Sequence, residues 1–241
     1  MSLFAFPQAV SPAAARPKGR CARRRAALVA VPVLLLAGCI APSARFVAEE
    51  EPWRDTDERL CLASGIVREN ADITARSALG GPSVCGALQP FFVAAVGDGA
   101  VRLHPAALLR CPMVPALEQW LARAVAPAAR TYLGSSVVAL TIAASYACRP
   151  MNNVDGARLS EHGHANAIDV SAFALADGRV VAVETGWWGA LAERAFLRAV
   201  HRGACDTFTT VLGPAHDHNH RDHFHLDLAR HGRSGADAIC K

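Results

Sequence analysis

Two short stretches of this 241-residue chain carry the side chains best suited to chemistry. The first reads Ser160-Glu161-His162-Gly163-His164-Ala165-Asn166-Ala167-Ile168-Asp169, and the second His223-Phe224-His225. They supply a histidine and an aspartate seven apart, then a His-x-His pair. Two imidazoles and one carboxylate are the donors a catalytic zinc ion takes when its fourth position stays open for water. The competing reading is a surface strand with scattered histidines. Three potential ligands in two ordered motifs favour a metal site over it.

The elements that must position these groups follow from periodicity. Alternation over 223–229 puts His223, His225 and Asp227 on one face of a strand and Phe224, Leu226 and Leu228 on the other. The apolar face belongs to the core, so the polar face looks into a cleft or solvent. His162 precedes a strand over 166–175 that contains Asp169, and the two converge only if the chain doubles back. Gly163 and Ala165 are small enough to permit that. A second strand over 179–183 follows the hairpin signal Asp177-Gly178. Residues 137–146 and 209–212 read as further strands. Leu117, Trp120, Leu121, Ala124 and Val125 predict a helix over 115–125, with Pro127 discouraging continuation. A helix over 187–200 is expected to bury Trp188, Leu191, Ala195 and Val200. Strands with a few packed helices, outside regular βαβ alternation, predict an α+β fold with a mainly antiparallel sheet.

Charge and cysteines bound the setting. Six of the 25 basic residues (Arg16, Lys18, Arg20, Arg23, Arg24 and Arg25) sit within 1–38, which hold no acid. The rest carries 19 basic against 21 acidic residues, and no basic patch points to nucleic acid. Arg23-Arg24-Arg25, an apolar run over 26–36 and Leu36-Ala37-Gly38-Cys39 read as a signal peptide, shorter than the ~20 residues of a membrane span. The tetrapeptide resembles a bacterial lipobox, which implies lipidation at Cys39; the alternative is an ordinary secretory leader. Ile40 stands where an inner-membrane retention signal places aspartate, so the resemblance implies an outer-membrane anchor facing the periplasm. The expected organisation is a lipoprotein signal peptide over 1–38, an anchor and flexible tether over 39–58, and a folded domain over 59–241. Cys61, Cys85, Cys111, Cys148, Cys205 and Cys240 then imply three disulfides among 15 possible pairings. Their wide spacing, with no C-x-x-C, argues against metal ligation.

Ser-x-His-x-x-x-x-Ala-x-Asp followed by His-x-His resembles the zinc peptidase superfamily of lysostaphin-type and D-Ala-D-Ala metallopeptidases and the Sonic hedgehog fold. Within it the chain is similar to the bacterial extensin-like C-terminal domain family. The likeness rests on Ser145-Tyr146-Ala147-Cys148-Arg149, Ser160-Glu161-His162, Asn166-Ala167-Ile168-Asp169, Thr210-Val211-Leu212-Gly213-Pro214 and His220-Arg221-Asp222-His223-Phe224-His225-Leu226-Asp227. It spans roughly Cys61 to Cys240. The resemblance implies one Zn2+ held by His162, Asp169 and His225, with Asp222 or His223 as base. It departs from the peptidases in having Asp222 for glutamate, one methylene shorter, and Ala165 where the D-Ala-D-Ala peptidases commonly carry glycine. It also implies that Arg149 grips a substrate carboxylate, that Ser160 bonds substrate or supports its loop, and that His220 lines the site. The implied substrates are peptidoglycan peptides, cut by a D,D-endopeptidase or carboxypeptidase-like reaction. None of the Ser-Pro repeats of plant extensins occurs, so that label carries no functional weight.

Two other classes stay open. One is a zinc-containing module that binds cell wall or a partner without catalysis. The other is a metal-scavenging lipoprotein, suggested by His216-Asp217-His218-Asn219-His220. His216 and His218 are read as decorating a mobile loop rather than as ligands of the zinc. The sequence carries no signal for an oligomeric state.

Overall fold

Around the histidine motifs the expected strands are present in the computed structural model, which describes residues 45–81 and 83–241. Helix α1 (Trp53–Ser64) precedes β1 (Ile73–Ala75), β2 (Leu79–Gly80), β3 (Gly86–Ala87) and the hairpin of β4 (Phe91–Val96) with β5 (Val101–Leu109). A helical crossover follows: α2 (Met113–Trp120), a π-type turn Leu121–Val125, the short α3 (Ala126–Ala128) and a second π-type turn Ala129–Leu133. The chain continues through β6 (Val137–Ala144), β7 (Ala167–Leu175), β8 (Val180–Ala182), α4 (Val183–Gly186), α5 (Leu191–Ala204), β9 (Thr210–Leu212), β10 (Phe224–Asp227) and β11 (Ile239–Cys240).

Nine of these strands form one sheet in the order β1-β4-β5-β6-β7-β10-β9-β11, with β8 beside the far half of β7. Only β5 with β6 and β9 with β11 run parallel, so the fold is mixed α and β with a mostly antiparallel sheet. A parallel pair needs a long crossover, and the helical run from Met113 to Leu133 supplies it between β5 and β6.

One face of the sheet meets the helices. Phe173 of β7 packs against Trp120 of α2, Phe196 of α5 and Phe224 of β10, all fully buried. The Trp120 indole N–H donates to the Val200 carbonyl at 2.9 Å, so the largest core side chain buries no orphan donor. Because successive strand residues point to opposite faces, Phe224 and Leu226 in the core put His225 and Asp227 on the face away from the helices. Ile168 and Val170 do the same for Asp169. Register then sets His225 directly opposite Asp169, Phe224 opposite Val170 and Leu226 opposite Ile168. A one-residue slip would bury His225 and expose Phe224, so core packing fixes the register that pairs carboxylate with imidazole.

Three expectations are corrected. The crossover helix runs past Pro127 to Leu133: i→i+5 turns on either side carry it over the missing N–H, and it ends at Gly134 in left-handed conformation (φ +64°). The later helix starts at Leu191, and Trp188 and Leu191 are exposed; the buried face is Phe196, Leu197, Val200, His201 and Ala204. The non-helical residues 187–190 reset the helical phase, which leaves Trp187 against Phe224. The segment read as a tether over 39–58 is structured from Arg45. Val47 exchanges backbone hydrogen bonds with Ala157 and Leu159 at 2.9 and 3.2 Å, and α1 begins at Trp53. The leader over 1–38 and the anchor Cys39 lie outside the described residues. Among the described residues no helix is long and apolar enough to cross a membrane.

All six domain cysteines pair as expected, as Cys61–Cys111, Cys85–Cys148 and Cys205–Cys240. The first ties α1 to the start of the crossover, the second fixes the chain immediately before Arg149, and the third joins the end of α5 to β11.

Candidate metal centre

His162, Asp169 and His225 come together on the face of the sheet opposite α2 and α5, with one donor atom from each lying within 4.8 Å of the others. Asp169 stands between the two imidazoles. Its Oδ1 lies 2.9 Å from His225 Nδ1, and its Oδ2 lies 3.1 Å from His162 Nε2. A tetrahedral zinc with bonds of about 2.0–2.1 Å holds its donors roughly 3.3 Å apart, so these separations fit that geometry closely.

The tautomer of His162 carries the strongest clue. Its Nδ1 is 2.5 Å from the Ser145 carbonyl, which can only accept, so Nδ1 bears the proton. In the neutral ring Nε2 is then a bare lone pair. That atom is buried, makes no hydrogen bond among the described residues, and faces a carboxylate oxygen. Two electron-rich atoms at that distance repel unless a proton or a metal cation lies between them. The donor set and this orphaned nitrogen fit a zinc ion held by His162, Asp169 and His225.

His225 is oriented from behind. Its Nε2 donates to Asp227 Oδ2 at 2.9 Å, and Asp227 is itself buried and accepts from the Ala229 N–H. A carboxylate behind a ligand histidine fixes its ring and raises its basicity. Burial would lower the His225 pKa, but the hydrogen bonds and charges of Asp169 and Asp227 outweigh it and push the ring up to about 10. Burial would likewise raise the Asp169 carboxyl, yet the facing His162 and His225 hold it far below the usual carboxylate range.

The loop that brings His162 back to β7 is built from local constraints. Pro150 pairs with Leu159, and the Ala147 and Ser160 amides donate to His162 and Arg149 carbonyls at 3.1 and 3.0 Å. Ser160 Oγ accepts from the His162 amide at 3.4 Å and caps the 3-10 turn Glu161–His164. A Cβ on Gly163 would fall 2.7 Å from Leu159 Cδ1, so a larger residue here would have to displace the Leu159 side chain. Ala165 then takes a left-handed conformation (φ +51°) and is fully buried, which accounts for the small residue there. Outside the turn, Glu161 accepts from Asn166 Nδ2 at 2.7 Å and pairs with Arg54 of α1, which also holds Glu51. The Ala165 carbonyl accepts from the Arg110 amide, and the Arg110 guanidinium meets the fully buried Glu58 at 2.7 Å.

The residues expected to act as base or to meet substrate, Asp222, His223, Arg149, Ser160 and His220, border the same cleft, whose volume is about 600 Å³. His223 directs Nε2 toward the centre, 3.6 Å from Asp169 Oδ1, and its Nδ1 lies 2.8 Å from Asp222 Oδ1. The Asp222 side chain is 64% exposed and that of His223 15%, so the structure sets His223 inward and Asp222 behind it. His220 is buried, held through Nδ1 by Asp217 at 2.7 Å, with its ring 5.4 Å from that of His223. Arg149 lines the cleft, and among the described residues its guanidinium bonds only the Pro150 carbonyl, at 3.4 Å. Ser160 is committed to the turn that carries His162.

Several contributors escaped the sequence reading. Glu161 lay inside the quoted motif without a role, and its partner Arg54 lies 107 residues away. Val47, Glu49 and Glu51 line the cleft from the segment read as a tether, and Glu49 and Glu51 both approach Arg158. Asp227 was not missed: period two left it either to orient a histidine or to end the strand in solvent, and the buried carboxylate contacts His225.

Comparison with known proteins adds a family and no closer relative. No curated protein and no solved structure matches the chain. The family described as Extensin-like protein C-terminus matches residues 59–241, a span that contains all three candidate metal donors and the three disulfides of the described residues. The chain therefore belongs to the extensin-like protein C-terminus family.

Proposed function

We propose that this protein is a zinc-dependent hydrolase of peptidoglycan peptides, related to the lysostaphin-type, D-Ala-D-Ala and hedgehog-type fold, and tethered in the periplasm through a lipidated Cys39. The observation that carries the reading is the bare Nε2 of His162, facing Asp169 and His225 at the wall of an open cleft. Three protein donors and a cleft leave room for a water or substrate ligand, as catalytic rather than structural sites do.

When bound, the ion supplies a Lewis acid that activates water and polarises a carbonyl. The remaining chemistry falls to the chain's own groups. His223, aimed inward and oriented by Asp222, accepts the proton of the attacking water at Nε2 and returns it to the leaving amine as the amide C–N bond breaks. Asp222 is too exposed to serve as the inward base and acts by fixing the His223 ring. Arg149, free of a carboxylate partner among the described residues, offers a planar fork for a carboxylate of the wall peptide. His220 borders the substrate beside His223.

The test is incubation of purified protein with cross-linked muropeptides, with and without chelator, beside His162→Ala. Loss of cross-linked dimers that both chelator and the substitution abolish supports the proposal. One equivalent of bound zinc without any product shifts the reading to a wall-binding module.

A further inference from the structure

We propose that His216, Asp217 and His220 form a second cation site on the rim of the cleft, suited to Zn2+ or a similar divalent transition metal. One donor atom from each lies within 4.8 Å of the others. His216 Nε2 is 3.4 Å from Asp217 Oδ2, and His220 Nδ1 is 2.7 Å from Asp217 Oδ1. A carboxylate flanked by two imidazoles thus recurs at nearly the spacing found around Asp169.

The segment's own bonds prearrange this cluster. Asp217 Oδ1 accepts from the Asn219 amide at 2.8 Å and caps the 3-10 turn His218–His220, which folds His220 back over Asp217. The His216 amide donates to the Gly213 carbonyl at 2.9 Å, which fixes the other end. His218 points away to solvent and takes no part, so the site is a defined triad and not a loose histidine tract. The buried His220 ring lies 5.9 Å from that of His225, which puts this second cation beside the catalytic cleft.

Donor type sets the metal class. Two imidazoles and one carboxylate suit zinc, copper or nickel, whereas calcium and magnesium require mostly oxygen ligands. Partial exposure of His216 and Asp217, and the lack among the described residues of a carboxylate behind His216, make this site the weaker of the two.

Calorimetric titration of ZnCl2 into the metal-stripped full chain tests the assignment, with circular dichroism to confirm that each variant folds. Wild type is expected to take two equivalents, the second at least about tenfold weaker. His216→Ala and Asp217→Asn each lose the weaker equivalent and keep the tighter, while His162→Ala does the reverse. CaCl2 in place of zinc gives no binding at the rim. A single equivalent lost in His216→Ala but kept in His162→Ala would sink the buried centre and leave the rim site standing. Zinc stoichiometry and affinity unchanged by both His216→Ala and Asp217→Asn overturn the rim site.

Discussion

The cluster of His162, Asp169 and His225 and the cluster of His216, Asp217 and His220 share a cleft and a donor chemistry, but differ in what holds them. In the first, donors come from a loop and two adjacent strands whose register is set by core residues on the opposite face. Each imidazole is gripped at its far nitrogen, by the Ser145 carbonyl or by Asp227. In the second, all donors come from five consecutive residues, and one capped turn does the positioning. Preorganisation therefore depends on how much unrelated structure must move before a donor can leave, and by that measure the first cluster is the more firmly preorganised of the two.

Removing the central carboxylate should break the contrast most completely. In Asp169→Ala both imidazoles lose the group they face, and zinc affinity at the buried centre is expected to fall more than about 100-fold, beyond the loss typical of an outer partner. Titration calorimetry reads this directly, and a smaller loss would move the ligand set elsewhere.

The supporting network comes next. Glu58→Ala leaves Arg110 buried without its partner and is expected to cost about 3–5 kcal/mol of unfolding free energy. Asp57→Ala breaks a half-exposed pair with Arg230 and should stay within about 1 kcal/mol. Urea denaturation that finds equal losses contradicts the role given to the buried network. Asp227→Asn keeps the shape behind His225 but removes the charge, so zinc binding should weaken about 10–100-fold while the fold is retained.

A pH profile sharpens the comparison further. In metal-free protein the protonated His225 contributes stability that is complete below its ordinary value of 6.5 and lost as pH rises through about 10. The Tm of chelated protein should therefore decline between those values, and zinc-loaded protein should show a flatter profile. A flat profile for the chelated protein contradicts the double carboxylate grip. The smallest effect is expected for Ser160→Ala, where loss of the turn cap costs about 0.5–1 kcal/mol, read as a small fall in Tm.

The grouping of His162, Asp169 and His225 was legible in the sequence because both motifs are local and one lies on a strand, where alternation reveals the facing side. The rest hid for physical reasons. Helix α1 buries Arg54 and Glu58, so a search for apolar periodicity passes over it. Strand β5 contains Pro105 and buries Leu103, Ala107 and Leu109 without strict alternation through its middle, which left the β4–β5 half of the sheet unread. Residues 45–51 carry Arg45 and the run Glu49-Glu50-Glu51, a charge density that reads as a linker. Their docking depends on backbone bonds from Arg45 and Val47 to residues more than a hundred positions away, which no local pattern encodes. Pro127 misled because wide helical turns can absorb a missing donor.

The central claim is that His162, Asp169 and His225 hold one metal ion with a position left open. Crystals of zinc-loaded protein, measured on both sides of the zinc absorption edge, test it most directly. The account predicts a strong anomalous peak bonded to His162 Nε2, Asp169 and His225 Nδ1, with any weaker peak at His216 and Asp217. A strong peak elsewhere, or one closed by a fourth protein donor, contradicts it.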